Sequence, residues 1–278
     1  MTTISTPLTR SASQRARWFV SDSLALAGRN LQHVRQIPEK LLDVTLQPIM
    51  FVLLFAFVFG NVIPVPGGDY REYLVGGILV QSLAFGMMGP GTSIATDLGE
   101  GMVDRIRSLP TSRSAYLFGH FAAELAASLL AIVILCATGF AVGWTIESSV
   151  LEALSGAALL VAFAAAMIWV GTLLGVIARS PDAVQGFAFM TVFPLTFLSN
   201  AFVPAAGLPD GLRSVAEWNP VSAIVAAVRS LFGNPTAVPA DAPWPLEHPV
   251  LAATLWMAVL LAVSIPLTVR RFRTRTID

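Results

Sequence analysis

Six long apolar stretches alternate with short polar segments along this chain of 278 residues. The stretches cover residues 44–63, 73–95, 117–143, 151–178, 183–203 and 249–269. Because a helix rises about 1.5 Å per residue, each stretch is long enough to cross roughly 30 Å of hydrocarbon. The pattern therefore predicts an all-α polytopic membrane protein with six transmembrane helices.

Basic residues are distributed unevenly over the segments between these stretches. Fourteen of the 17 lysines and arginines lie in alternate segments that include both ends of the chain, and the other three are Arg71, Arg213 and Arg229. Basic residues in short loops remain on the cytoplasmic side of a membrane. We therefore predict that both termini are cytoplasmic, and the formal net charge of zero conceals this segregation of the basic residues.

The first forty residues are polar and basic, and they lack the short apolar core of a cleavable signal. Apolar positions recur there at helical spacing, with arginines and a histidine between them, at Leu24, Ala27, Leu31 and Val34. We interpret residues 1–40 as a cytoplasmic tail and an interfacial amphipathic helix. Residues 41–278 then form a single six-span membrane domain.

The polar segment 97–114 is the longest connection on the cytoplasmic side. Met102, Ile106 and Leu109 lie there at i, i+4 and i+7. This spacing predicts a short cytoplasmic amphipathic helix of two turns, which Pro110 ends.

Residues 204–248, on the opposite side, contain seven of the 18 prolines. Within them, residues 221–231 are apolar but too few to span a membrane. The segment therefore predicts a pair of short helices hinged at Asn219–Pro220 before the last span. This outer helical pair is either re-entrant or lies at the outer surface.

Motifs for chemistry are scarce. Lys40 is the only lysine and follows no glycine-rich loop, so a phosphate-binding loop of the form GxxxxGK[ST] cannot occur. The three histidines form no HExxH pair, and there is no GxSxG elbow. We expect no catalytic, cofactor or metal site, so any ATP must be hydrolysed by a separate chain.

Two polar features lie inside the apolar stretches. His120 and Glu124 are one helical turn apart in the third stretch and can pair there. The pair can anchor the helix, contact a substrate path or take part in a proton relay, and these alternatives stay open. The second stretch is rich in glycine near Pro90, which allows close helix packing and permits kinks, and these glycines have either a structural or a gating role.

Four blocks of sequence resemble one family. They are Pro38 to Met50 at the first stretch, Tyr70 to Leu79 at the second, Thr96 to Pro110 in the cytoplasmic connection, and Ala178 to Arg229. Together they make the chain similar to type-2 ABC exporter permeases, and within these to the daunorubicin-resistance (drug-efflux) membrane subunits.

The resemblance implies a half-transporter in a bacterial cell membrane. Two permease subunits, identical or different, would pair within the lipid, and each would rest on a cytoplasmic ABC ATPase subunit that binds ATP and Mg. The coupling segment, residues 97–110, would dock on that ATPase, and no nucleic acid is expected as a partner. Its candidate contact residues are Gly101, Asp104, Arg105, Ile106, Arg107, Leu109 and Pro110.

The resemblance also implies that the chain exports a hydrophobic or amphipathic compound such as a drug, an antibiotic or a lipid. The second and fifth stretches supply mainly Gly, Met and Phe, whereas sugars and ions need rows of polar groups. We predict a path between these stretches of paired subunits, lined by Phe85, Met88, Phe189, Phe193 and Asn200, although each of these can also serve plain packing. The alternatives are a polysaccharide or glycolipid export permease, an ion-coupled secondary transporter or channel, and a structural component of a membrane assembly.

Overall fold

The structure, a computed structural model, describes residues 38–60, 62–101, 113–178, 180–239 and 241–274, and the side chains of 38–45, 113–115 and 273–274 are not included. The predicted N-terminal amphipathic helix lies outside the described residues. So does most of the coupling segment, with the candidate contacts Asp104, Arg105, Ile106, Arg107, Leu109 and Pro110.

The described residues form ten α-helices and no strand. In chain order they are α1 (Pro38–Leu54), α2 (Tyr70–Phe85), α3 (Met88–Gly99), α4 (Arg113–Ala141), α5 (Val150–Ile177), α6 (Pro181–Phe197), α7 (Asp210–Trp218), α8 (Pro220–Phe232), α9 (Trp244–Glu247) and α10 (Pro249–Thr274). A π-helical turn, Phe55–Phe59, continues α1, and a 3-10 turn, Ala205–Gly207, precedes α7.

Four helices in the described part of the chain are long and apolar enough to cross a membrane. They are Tyr70–Gly99, which joins α2 and α3, and then Tyr116–Ala141, Val150–Ile177 and Pro249–Phe272. The first predicted span corresponds to α1 and the π-helical turn that continues it, and the two together contain the shorter apolar helix Leu46–Phe59. The fifth corresponds to α6, whose 17 residues rise about 26 Å. The all-helical architecture is confirmed, and the count of six spans stays a prediction.

The second predicted span is interrupted between α2 and α3. Pro90 has no N–H to donate to the carbonyl of Gly86, and its ring clashes with that carbonyl in a regular helix. The helix accordingly breaks at Gly86 and Met87, one turn before the proline. The sequence permitted a kink near Pro90, and the interruption lies at the turn that the proline cannot complete.

Helix α5 lies at the centre and packs extensively against α3, α8 and α10. A capping box starts it, in which the Ser149 side chain accepts from the Glu152 amide and the Glu152 carboxylate accepts from the Ser149 amide. Its contact with α3 is made through glycines. A Cβ added at Gly171 would lie 2.9 Å from the carbonyl carbon of Met87, and one at Gly175 would lie 3.0 Å from that of Gly91. Glycine lets these two backbones touch.

The two short helices predicted before the last span are α7 and α8. They meet at Asn219, whose side chain accepts from the Val221 amide and so caps α8. Gly233 ends α8 in the left-handed conformation, with φ of 74°. Helix α8 is buried along nearly all its length, whereas α7 buries only Ala216 and Glu217.

Candidate functional site

Six phenylalanine side chains form a continuous row along one side of the protein. The successive ring centroids are 6.2, 5.1, 4.3, 5.1 and 5.0 Å apart in the order Phe85, Phe189, Phe193, Phe197, Phe202 and Phe55. We call these six residues the aromatic row. It joins α2, α6, the turn after α6 and the π-helical turn that continues α1. Rings at these separations attract one another and bind flat apolar groups.

The central rings of the row are uncovered in the single subunit. Phe189 is 54% exposed and Phe193 is 40% exposed, and Met190 beside them is more exposed still. An uncovered apolar strip of this kind faces lipid, a partner or a ligand.

Three of the five predicted path residues, Phe85, Phe189 and Phe193, therefore lie together in the aromatic row. Met88 begins α3 beside the helix break and is half-buried against the core. Asn200 differs from the other four because only 3% of it is exposed. Its Oδ1 is buried without a hydrogen-bond partner among the described residues.

A buried arginine lies against the turn after α6, next to Phe202 of the row. Arg229 of α8 is 0% exposed and donates to three main-chain oxygens. These are Tyr73 O at 2.7 Å, Asn200 O at 2.9 Å and Ala201 O at 2.8 Å. The guanidinium also lies 3.3 Å from the centre of the Tyr73 ring.

Two further side chains hold the turn after α6, namely the cap residue of α8 and a serine within α8. Asn219 donates to the carbonyls of Leu195 and Leu198 at 2.7 and 2.9 Å, and Ser222 accepts from the Asn200 amide at 3.0 Å. These bonds satisfy carbonyls that the end of α6 leaves open. The turn is itself buried, so protein groups rather than water satisfy its backbone.

At the other end of the spans, the two flanks of the coupling segment are brought together. The Tyr116 hydroxyl of α4 donates to the Asp97 carboxylate of α3. The Tyr116 ring stacks on Phe272 of α10, with centroids 5.8 Å apart, and on His120. A small apolar cluster around them includes Ile94, Leu98, Leu117 and Val176. Gly101, the described member of the coupling residues, has a left-handed φ of 67°.

The two members of the predicted polar pair have different surroundings. His120 is buried beside Tyr116. The Glu124 carboxylate lies against α3, where a Cβ added at Gly89 would be 3.4 Å from its Oε2. Glu124 therefore approaches the start of α3 just after the helix break.

Charged groups on α7 are tied to the loop that follows α8. Arg213 donates to Glu217 at 2.7 Å and to Asp241 at 3.1 Å. The hydrogen bond to Glu217, followed by that to Asp241, raises the pKa of Arg213 above its usual range. The exposed face of α7 is apolar instead, with Leu212, Val215 and Trp218.

Residues 22–232 match the ABC-2 type transporter family. This match covers most of the chain. The chain belongs to the ABC-2 type transporter family.

Several permeases of this family are similar to the chain over most of their length. The daunorubicin resistance ABC transporter permease protein DrrB1 of Streptomyces coeruleorubidus is 28% identical over 256 residues, which are 92% of this chain and 87% of that protein. The doxorubicin resistance ABC transporter permease protein DrrB of Mycobacterium tuberculosis is 24% identical, covering 81% of this chain and 80% of that one. A putative transport permease, ycf38, of Porphyra purpurea is 26% identical, with 78% and 75% covered.

Two contacts of the site were not predicted by the sequence pattern. Arg229 was placed among the three basic residues on the outer side and at the end of a resembling block, yet it is a buried cation that joins three chain segments. The signal that could have revealed it was an arginine inside an otherwise apolar helix, a position that is costly unless the charge is used. The Tyr116–Asp97 bond carried no local signal, because its partners lie 19 residues apart across the coupling segment.

Proposed function

We propose that this chain is the membrane permease subunit of an ATP-driven exporter that moves a hydrophobic or amphipathic compound out of a bacterial cell. The observation that carries the proposal is the aromatic row, which is continuous across α2 and α6 and uncovered in one subunit. Family membership supplies the transporter class. The relatives named for daunorubicin and doxorubicin resistance support a drug-like substrate.

The path runs between two permease subunits, which together cover the aromatic row. Phe189 and Phe193 are too exposed to belong to the core of one subunit. Pairing two such strips gives an apolar channel with aromatic walls, which suits flat or greasy molecules of variable shape. Helices α1 and α6 then count as the first and fifth of six spans, and both termini are cytoplasmic.

ATP hydrolysis is the task of a separate cytoplasmic ABC ATPase, and the coupling segment receives its motion. Asp97 begins that segment, Tyr116 follows its end, and the two residues are linked to each other and to α10. A displacement of residues 97–110 therefore reaches α3, α4 and α10 together. Since α3 follows the helix break beside Met88, the same displacement reaches the inner end of the path.

The walls of the path favour an apolar compound over a sugar or an ion. The six side chains of the aromatic row carry no charge, and the carboxylate of Glu124 on α4 approaches the start of α3 rather than the row. Export of a polysaccharide or glycolipid is the second candidate, because aromatic rings also serve as platforms for sugars. No observation on the described residues favours an ion-coupled carrier.

Efflux tests the substrate path. Inverted vesicles would carry the permease with the ATPase that copurifies with it, and uptake of a fluorescent lipophilic cation would be measured with and without ATP. We expect Phe193→Trp to lower ATP-dependent uptake about tenfold, since a larger ring in a close-packed row displaces its neighbours. Phe187→Trp is the matched control, because Phe187 lies on the same helix, is exposed and stands outside the row.

Equal uptake by the two variants would refute the path. Accumulation of a polysaccharide inside cells that lack the pair, with no lipophilic probe ever exported, would favour the second candidate instead.

Coupling is tested by introducing acidic residues into the coupling segment and, as a control, into a segment predicted to be outside. Ile106→Asp and Arg105→Glu should abolish ATP-dependent uptake while the protein stays inserted. Ile146→Asp makes the same chemical change in the segment predicted to be outside, and uptake should persist. Normal export by Ile106→Asp at the wild-type expression level would contradict the assigned role of the coupling segment.

A further inference from the structure

Arg229 is a cation with no exposed surface, and none of the described carboxylates forms a salt bridge with it. Burying an unpaired charge costs several kcal/mol unless hydrogen bonds and dipoles replace the lost water. Here the replacement is three carbonyl oxygens and one aromatic ring. The charge is therefore stable only while all of these groups surround it.

The three carbonyls belong to two distant parts of the chain. Tyr73 O lies in the first turn of α2, whereas Asn200 O and Ala201 O lie in the turn after α6. The guanidinium of a third element, α8, thus connects both path-bearing helices. Its planar fork can direct donors at several acceptors at once, which a lysine ammonium cannot match in geometry.

Close packing of α2 supports the same junction. A Cβ added at Gly76 would lie 3.0 Å from Cγ of Arg229, and one at Gly77 would lie 2.7 Å from the carbonyl carbon of Ala201. The Tyr73 hydroxyl also donates to Asn200 O. No side chain therefore separates α2 from the arginine or from the turn.

We infer that Arg229 is a positioning residue that fastens α8, the first two turns of α2 and residues 195–201 into one rigid block. We call this the outer block. During export the block moves as a body, so the outer end of the path opens between subunits. This inference rests on the proposed function and specifies how its outer exit works.

The alternative is a lid, in which α8 lifts away from α2 and α6 within one subunit. Lifting would break the hydrogen bonds of Arg229, Asn219 and Ser222 together. It would also leave an unpaired guanidinium and several carbonyls in an apolar setting, where each is costly. Movement of the whole block breaks none of these bonds.

A disulfide across the junction distinguishes the block from the lid. Gly68 precedes the cap of α2, and Pro235 follows the end of α8. A Cβ added at Gly68 would lie 3.4 Å from Cβ of Pro235, close to the spacing of about 3.5–4.5 Å in natural disulfides. The variant Gly68→Cys with Pro235→Cys, in a Cys136→Ser background, therefore ties α2 to the end of α8 without altering the aromatic row.

Uptake by inverted vesicles is measured with the disulfide oxidised and then reduced. We expect the bond to form in the resting state and with the ATPase trapped by vanadate, and the oxidised protein to export at the reduced protein's rate. A loss of about tenfold or more on oxidation, reversed by reductant, would establish the lid and overturn the block. If the disulfide fails to form in the resting state or in the vanadate-trapped state, the block is overturned as well.

The role of Arg229 itself is tested by Arg229→Lys, which keeps the charge and removes the fork. We expect this variant to insert but to lose about tenfold in export, the effect of losing one charge-assisted hydrogen bond. Oxidising the 68–235 cysteine pair in the same protein should restore export, because the disulfide replaces the fastening after folding is complete. A role in folding alone predicts no such rescue.

Unchanged export by Arg229→Lys, or no rescue on oxidation, would overturn the positioning role. If Arg229→Lys fails to fold, the disulfide in the Arg229 protein still decides between block and lid. Absence of ATP-dependent export by the unaltered permease would instead reject the proposed function, so the two failures are separable.

Discussion

Gly171→Ala is the sharpest test of how the central helices are held together. The added Cβ would lie 2.9 Å from the carbonyl carbon of Met87 and 3.1 Å from its Cα. Ordinary carbon contacts are about 3.5–4.0 Å, so α5 and α3 must separate by roughly half an ångström or more. The obstacle is backbone, which cannot rotate aside as a side chain can.

The cost follows from opposing effects. Overpacking a close contact costs about 1–3 kcal/mol, and a backbone obstacle places this site at the upper end. Alanine recovers about 1 kcal/mol because it favours the helix over glycine. We therefore expect a net loss of about 2 kcal/mol and a fall of roughly 5 °C in melting temperature.

Gly186→Ala is the matched control, because a Cβ added at Gly186 of α6 meets nothing within 4 Å. The same substitution should leave stability unchanged or raise it by about 0.5–1 kcal/mol. Both variants are heated in the same detergent, and the melting temperature is taken from the loss of monodisperse protein. A melting temperature for Gly171→Ala at or above that of Gly186→Ala would refute the glycine contact between α5 and α3.

Three further predictions address other contacts. Tyr116→Phe removes the hydroxyl that donates to Asp97 and should lower substrate-stimulated ATP hydrolysis several-fold at normal expression. Unchanged stimulation would contradict the link between the two ends of the coupling segment. Asn234→Leu removes the acceptor of the Trp144 N–H and the donor to Thr145 O, so thermal melting should show that the free energy of unfolding falls by about 2 kcal/mol. A change below about 0.5 kcal/mol would argue against these bonds. Thr236→Cys in a Cys136→Ser background should react with an impermeant maleimide in intact cells, whereas labelling only after permeabilisation would reverse the predicted topology.

Local signals in the chain predicted helices well. The stretch predicted at 151–178 is α5 at Val150–Ile177, because Ser149 caps its start and Ser180–Pro181 begins the next helix. The hinge at Asn219–Pro220 was predicted for the same reason, since an asparagine cap and a proline at the first helical position act within one turn.

The path was only partly predictable. Phenylalanines spaced four apart on α6 necessarily share a face, so the contacts of Phe189, Phe193 and Phe197 follow from the helix period. That Phe85, Phe202 and Phe55 extend the row depends on how α2, the turn after α6 and the π-helical turn pack. Asn200 was predicted to line the path, and its burial against α8 could not be foreseen from its neighbours in sequence.

By itself the sequence determined the helical architecture, the approximate positions of the long helices, the segregation of basic residues and the family. These features depend on residues within a few turns of one another or on composition. Only the tertiary structure decided that Gly171 touches another backbone while Gly186 touches nothing, since the two glycines look alike in sequence. Likewise, Arg229 meets Tyr73 O across 156 residues. Such contacts depend on the packing of distant helices, and no local pattern of apolar and polar residues records which distant backbone a side chain will reach.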